Sequence, residues 1–298
     1  MFELVPVGKR TYYIEYPSKI GIYKPDDSLF VYLIDSGNDG RVAKRILRII
    51  EGQGWVLKGI FNTHCHADHV GGNAYLQEQT DCEIYVPDVD CGAVNNPQLN
   101  PVLLYGALPT KELTGKFYKA EKSSVRPLSQ ATMPEGLEWF TLYGHTMGMV
   151  GYKTADGVVF AADSVSSPEV LKRYTVTYLI DVDGFLSSLD WLAEMDAALF
   201  VPSHCEPTAD IKSLTDVNRE YVQKIIDEIL ELCKEPQLTD WVIKHFFDNN
   251  EIVFNMMQYA LIGSTVKSYL SYLKALDKIT LEYIDNMVYW KAIDGVEK

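Results

Sequence analysis

Six consecutive residues, His64-Cys65-His66-Ala67-Asp68-His69, constrain this chain more than any other stretch. They hold three of its six histidines and a carboxylate. Imidazole with carboxylate suits zinc, iron or manganese, whereas calcium and magnesium prefer all-oxygen shells. In extended backbone, side chains two apart point to the same side, so His64 and His66 can chelate one ion. Asp68 and His69 fall where a helix could begin and would aim at a neighbouring point. Residues 55–62 (WVLKGIFN) read as a strand that delivers the cluster at its C-terminal end, the usual location of sites in layered α/β proteins. The stretch reads as a metal site.

The same device recurs. Residues 137–142 (LEWFTL) read as a strand leading to Gly144-His145-Thr146. Residues 149–154 and 158–162 form a hairpin around Asp156-Gly157, a strong turn signal, and the hairpin ends at Asp163. A helix over about 185–197 and a strand over 198–201 then lead to Ser203-His204. Four strands thus end in His or Asp. Taken alone, His145 and His204 are ordinary histidines and Asp163 an ordinary turn cap; their weight comes from arriving with the cluster. His245, beside Phe246 in a helix, reads as a packing or surface residue, and Cys65, alternating away from the metal face, and Cys205 read as non-ligands.

Elsewhere, aromatic and β-branched residues predict strands over 11–16, 20–23, 29–35 and 83–86. A helix is predicted over 41–51, with Val42, Ile46, Leu47 and Ile50 as its apolar stripe and Gly52 and Gly54 ending it. A second runs from Asp68 to about Glu78. From 91 to 125 prolines and glycines break any period. That segment reads as a surface insertion, or as a lid using Leu104, Tyr105, Phe117 and Tyr118. After Thr215 the pattern turns helical, with stripes at Val222, Ile225, Ile226 and Ile229 and at Trp241, Val242 and Phe246. A third helix is predicted from a cap at Ser264 or Thr265, and a hairpin follows around Asp285-Asn286. Three helices and a hairpin resemble a winged helix. Its ten Lys/Arg against fourteen Asp/Glu from residue 211 onward disfavour DNA binding, so it reads as a buttress, a pocket wall or the contact of a homodimer.

The 298 residues fit one large domain with an appendage, or two domains: 1–212 and 213–298. A net charge of −14 excludes general affinity for nucleic acid or anionic membrane, yet permits an anionic substrate, because bound cations dominate a local field. Five scattered cysteines without a C-x-x-C predict no disulfide framework and a reducing compartment. No signal peptide and no membrane-spanning helix are expected, which makes the cytoplasm the expected location.

His64-x-His66-x-Asp68-His69, Gly144-His145-Thr146, Asp163 and Ser203-His204, in that order, resemble the metal-ligand motifs of the metallo-β-lactamase superfamily. The resemblance implies an α/β four-layer fold, an αββα sandwich with its site along one edge, here followed by the winged-helix-like extension. It implies that His64, His66 and His145 hold one ion and Asp68, His69 and His204 a second, with Asp163 bridging both. Two divalent ions are expected, zinc first, with iron and manganese compatible. Paired cations lower the pKa of bound water towards neutrality, and a shared hydroxide would cleave an ester-type bond (thioester, lactone or phosphodiester) of a small molecule. Asp68 would also orient that nucleophile. Thr63, Ser203 and Asp35 are candidate supporting residues.

Among branches, the motifs share most with the glyoxalase II type, although Cys65 and Ala67 stand where that branch usually has His and Trp. A true β-lactamase is disfavoured, with no cysteine at the place of Asp163. Lactonases typically carry a tyrosine shortly after the bridging Asp. Here Ser164-Val165-Ser166 follow, with Tyr174 and Tyr178 further on. The main alternative is a persulfide dioxygenase, whose single iron would sit on His64, His145 and Asp163, although that branch's arginine-containing segment is missing from 164–170. A non-catalytic binding module is the third reading.

Overall fold

The computed structural model describes residues 2–293. Its first sheet has seven strands in chain order: Leu4–Pro6, Thr11–Ile14, Ile20–Tyr23, Phe30–Ile34, Val56–Phe61, Glu83–Val86 and Arg126–Pro127. The first four pair antiparallel and the last four parallel. A second sheet runs Leu199–Pro202, Val158–Ala162, Val150–Thr154, Leu137–Thr141, with only the first two of these parallel.

Alternation along the strands explains the layering. Val31 and Leu33 face a cluster shared with helix Gly40–Gly52, while Tyr32 and Ile34 face inward between the sheets. In the second sheet Val158 and Phe160 meet that interior, and Val159 and Ala161 turn to the opposite side. Strands that bury both faces this way must be covered by helices on both sides. The result is the expected four-layer arrangement. Tyr13, Tyr23, Phe61, Tyr152 and Phe160 fill the space between the sheets.

Helix Gly40–Gly52 follows its predicted stripe, and Asp39 caps it by accepting from the Arg41 and Val42 amides. The predicted helix from Asp68 is two pieces, Ala67–Val70 and Asn73–Thr80. The chain passes too close to the Ser36–Asn38 loop at Gly71 and Gly72 for side chains there. An added Cβ would lie 2.3 Å from the Asn38 carbonyl and 2.2 Å from that of Ser36. The helix predicted over 185–197 starts earlier, as Val182–Ala193, because Asp181 caps it. Residues 91–125 hold two short helices, Cys91–Asn95 and Leu99–Tyr105, and Pro168–Tyr174 forms a further one.

Helices Ile211–Leu232, Thr239–Asn249 and Met256–Ala275 cover the outer face of the second sheet together with Val182–Ala193. Val222, Ile226, Val242, Phe246, Val266 and Leu270 share one core with Leu189 and Val159. The last helix begins eight residues before the predicted cap. Asn255 caps it by accepting from the Gln258 amide, and Thr265 lies inside it, bonded to the Leu261 carbonyl. The hairpin Ile279–Ile284 and Met287–Ala292 forms as expected, turning where Asp285 and Asn286 both have positive φ. Gln237–Leu238 joins it as a third strand.

Candidate metal centre

The seven residues singled out from the sequence converge on one edge of the sandwich. Three groups have ligand atoms within 4.8 Å of one another: His64, His66 and His145; His64, His69 and Asp163; and Asp68, His69 and His204. The first sheet supplies the contiguous cluster after Val56–Phe61, and the ends of the second sheet supply His145, Asp163 and His204.

Backbone geometry fixes each approach. Gly144 has φ +111°, and an added Cβ would lie 2.6 Å or less from the Phe185 backbone, so only glycine lets the chain turn into His145. Its carbonyl accepts from the Ile180 and Asp181 amides at 2.9 and 3.1 Å. Ala162, just before Asp163, is left-handed at φ +50°, a cost that a packed strand end can impose at a site. The Val150 amide donates to the Thr63 carbonyl at 2.9 Å, pinning the cluster to the second sheet.

Outer hydrogen bonds set the tautomers. His145 Nδ1 donates to the Tyr178 carbonyl at 2.9 Å, and His204 Nδ1 donates to that of Pro17 at 2.8 Å. His69 Nδ1 lies 2.8 Å from the Asp35 carboxylate. Thr63 Oγ1 donates to Asp35 at 2.8 Å, leaving its oxygen to accept from His64 Nδ1 at 3.0 Å. In all four rings Nε2 therefore turns inward.

Two of those nitrogens meet a third, on His66. His66 Nδ1 lies 3.1 Å from His64 Nε2 and 2.9 Å from His145 Nε2. Burial, then the facing His145, pushes His66 down to about 3, and burial and neighbouring imidazoles push His64 well below the usual range. Ring nitrogens that burial keeps neutral and that gather this closely are suited to a cation. Buried His69 Nε2 and Asp163 Oδ1 have no hydrogen-bond partner. The donor set fits divalent metal.

The other half of the site is charge-paired. Burial alone would lower His204, but Asp163 and Asp68 raise it to about 10, with contacts of 3.2 and 3.3 Å from Nε2. Burial likewise opposes the charge on His69, yet Asp163, Asp68 and Asp35 together raise it well above the usual histidine range. Asp163 reaches both halves, with Oδ1 3.2 Å from His69 Nε2 and Oδ2 3.5 Å from His145 Nε2.

The residue profile of the metallo-beta-lactamase superfamily matches residues 22–204, from the third strand to the last of the seven site residues. The chain belongs to the metallo-beta-lactamase superfamily. Relatives of this superfamily member include a hydroxyacylglutathione hydrolase of Bradyrhizobium sp. (strain ORS 278), 30% identical over 50% of this chain and 49% of that protein. Another, from Shewanella loihica, is 28% identical over 58% of this chain and 56% of its own. The chain spans about half the length of the curated relatives it matches. Among solved structures, a beta-lactamase domain protein from Burkholderia ambifaria superposes with TM-score 0.74 at 16% identity, over 98% of this chain and 94% of its own. A metallo-beta-lactamase family protein from Thermus thermophilus does so with TM-score 0.70 at 18% identity, over 98% of each. These likenesses show the superfamily fold, extension included.

Two supporting candidates, Asp35 and Thr63, hold ligands directly; Ser203 engages through its backbone, accepting from Lys19 and donating to Ala162, both at 2.9 Å. The carbonyls of Pro17 and Tyr178 escape sequence reasoning, because any residue could supply them. Cys65 Sγ points away, 3.4 Å from Asn100 Oδ1, and Cys205 Sγ faces the Val165 carbonyl, its thiol pushed up to about 12 by burial. His245 stacks on Trp241, with ring centroids 5.7 Å apart, away from the cluster. Among the described residues no helix is long and apolar enough to cross a membrane.

A chamber of about 370 Å³ opens from His145, Asp163 and His204. Its walls come from 165–178 and from Gln258–Thr265 on the last long helix, not from Leu104, Tyr105, Phe117 or Tyr118 of the predicted lid. Tyr174 and Tyr178 both line it, so tyrosines absent from 164–166 reach the site from further along the chain.

Proposed function

We propose that this chain is a dinuclear metallohydrolase that cleaves an ester-type bond of a small molecule. His64, His66 and His145 would hold one ion, Asp68, His69 and His204 the other, and Asp163 both. The observation that carries the reading is the convergence of five histidines and two aspartates at one edge of the sandwich, in three groups whose donor atoms lie within 4.8 Å of one another. When bound, two divalent ions, zinc first, supply an activated water at neutral pH and a Lewis acid for the scissile group.

The chain's own residues divide the remaining work. The inward nitrogens of His64, His69, His145 and His204 hold their geometry because Thr63, Asp35, Tyr178 and Pro17 occupy the rings' outer nitrogens. Asp68 Oδ2 is engaged by His69 and His204, at 3.4 and 3.3 Å, which leaves Oδ1 to orient the attacking water. Residues 213–298, the second unit of the chain, act as the cover of this chamber, because Gln258–Thr265 wall it. The hydroxyacylglutathione hydrolase relatives support thioester cleavage as the first activity to assay.

Metal content of protein purified without added metal, measured by plasma mass spectrometry, tests the reading. About two ions per chain with thioester or ester turnover is the expected result. One iron per chain with no second ion taken up refutes the dinuclear mechanism, and oxygen consumption with a persulfide is then the assay that follows.

A further inference from the structure

The chamber beside the metal centre carries information about what enters it. Beyond His145, Asp163 and His204 its lining is mainly Val165, Val170, Val176, Leu261 and Ile262, with the two tyrosines. Its uncharged polar groups are Ser166, Thr177, Gln258 and Thr265. Among the described residues, no Lys or Arg lines it. Thr265 Oγ1 is already engaged, accepting from the Leu179 amide at 3.3 Å and donating to the Leu261 carbonyl at 3.1 Å.

We propose that the chamber receives an uncharged, apolar acyl or alkyl group of the substrate, so that the preferred substrate is a neutral aliphatic ester, thioester or lactone and not a glutathione conjugate. This rests on the hydrolase reading above. The argument is one of charge and volume. A glutathionyl group brings two carboxylates and one ammonium. Ions at the metal centre would meet the scissile group and cannot also neutralise a carboxylate at the far end of the chamber. Taking that carboxylate out of water against valines and leucines, in a chain of net charge −14, has no compensating partner. An alkyl group faces no such cost. At about 370 Å³ the chamber lies within the range of small-molecule sites, room for an acyl chain of short to medium length. Gln258, Ser166 and Thr177, whose side chains make no hydrogen bond among the described residues, are the polar groups placed to orient a carbonyl or amide.

Selection by an apolar chamber should appear as a chain-length series, because each buried methylene contributes about fourfold in affinity. Calorimetric titration of the metal-loaded protein with unreactive neutral amides from butanamide to octanamide reads this without turnover. The expected result is affinity rising about threefold to fourfold per methylene, with hexanamide bound more tightly than S-hexylglutathione. Ile262→Trp, and independently Val170→Trp, should flatten the series by filling the chamber, and circular dichroism shows whether each variant has folded. A flat series in the unmodified protein, or S-hexylglutathione bound more tightly than hexanamide, overturns the proposal. Turnover of p-nitrophenyl esters and of S-lactoylglutathione is measured on the same samples. A rising binding series with no hydrolysis of either class supports the chamber's role and sinks the hydrolase reading. Hydrolysis led by the glutathione thioester overturns the chamber's role and leaves the hydrolase reading intact.

Discussion

Asp35→Ala should damage the site more than any change outside the seven candidate ligands. Asp35 is 3% exposed and accepts three hydrogen bonds at 2.8 Å: from the Thr63 amide, the Thr63 hydroxyl and His69 Nδ1. The hydroxyl can rotate to another acceptor. The amide and the imidazole cannot, and each buried donor left unpaired costs about 1–3 kcal/mol. Alanine must also adopt φ +65°, which adds roughly 1–2 kcal/mol. Removing a buried carboxylate returns part of this, so a net loss of about 3–5 kcal/mol is expected. Metal affinity should fall about 10–100-fold, because His69 loses the partner that sets its tautomer and Thr63, the partner of His64, loses the acceptor that orients its hydroxyl.

Urea denaturation of metal-free protein measures the first quantity, and competition against a chromophoric chelator the second. Asp35→Asn separates the causes. Asparagine tolerates the left-handed backbone, so the strain should vanish while the weakened metal affinity persists. Affinity within roughly threefold of the unmodified protein in Asp35→Ala would refute the tautomer argument, since no outer shell would then be needed.

Three further outcomes are expected. Gly144→Ala should lose about 2–5 kcal/mol in urea denaturation, because its Cβ would strike the Phe185 backbone and its φ is +111°. Asp90 is raised from 3.8 to about 6 by burial, only partly offset by Cys65. Between those values the folded state holds the extra proton, so stability falls as pH rises from about 4 to about 6, by up to about 3 kcal/mol. Asp90→Asn should flatten that slope in denaturation series across this range. Zinc at 100 times its dissociation constant should stabilise the protein by about 2.7 kcal/mol over a chelated sample in thermal unfolding, and Asp163→Ala should abolish most of that gain.

The residues that converge at the candidate site are legible in the sequence because they stand at or just after strand ends that have their own pattern, and local pattern survives in sequence. The strand interiors are legible too, since Val31, Tyr32, Leu33 and Ile34 bury both faces. Features that depend on distant chain are not. The break at Gly71-Gly72 exists because residues 36–38 pass within van der Waals contact, and nothing near position 71 records that approach. Local pattern starts the last long helix too late because Ser264 and Thr265 look like caps, whereas Asn255 performs that role and Thr265 spends its hydroxyl on the helix's own Leu261 carbonyl. Helix Pro168–Tyr174 buries only Leu171, too little for a periodic signal, although Ser167-Pro168 is a recognisable start.

The same division between local and distant explains why chemistry can be read further than specificity. His64 to His69 come from the edge of one sheet and His145, Asp163 and His204 from the other, so two packed sheets alone suffice to assemble the donor set. The superfamily profile accordingly ends at residue 204. The chamber, in contrast, is closed by Gln258, Leu261, Ile262 and Thr265, contributed from beyond that boundary. On the proposed reading, a change of substrate therefore needs no change in the candidate ligands: replacing two or three side chains on one turn of the last long helix would recharge or reshape the chamber. Relatives that share His64, His66, Asp68 and His69 but differ over 258–265 would keep the reaction and exchange the molecule it acts on.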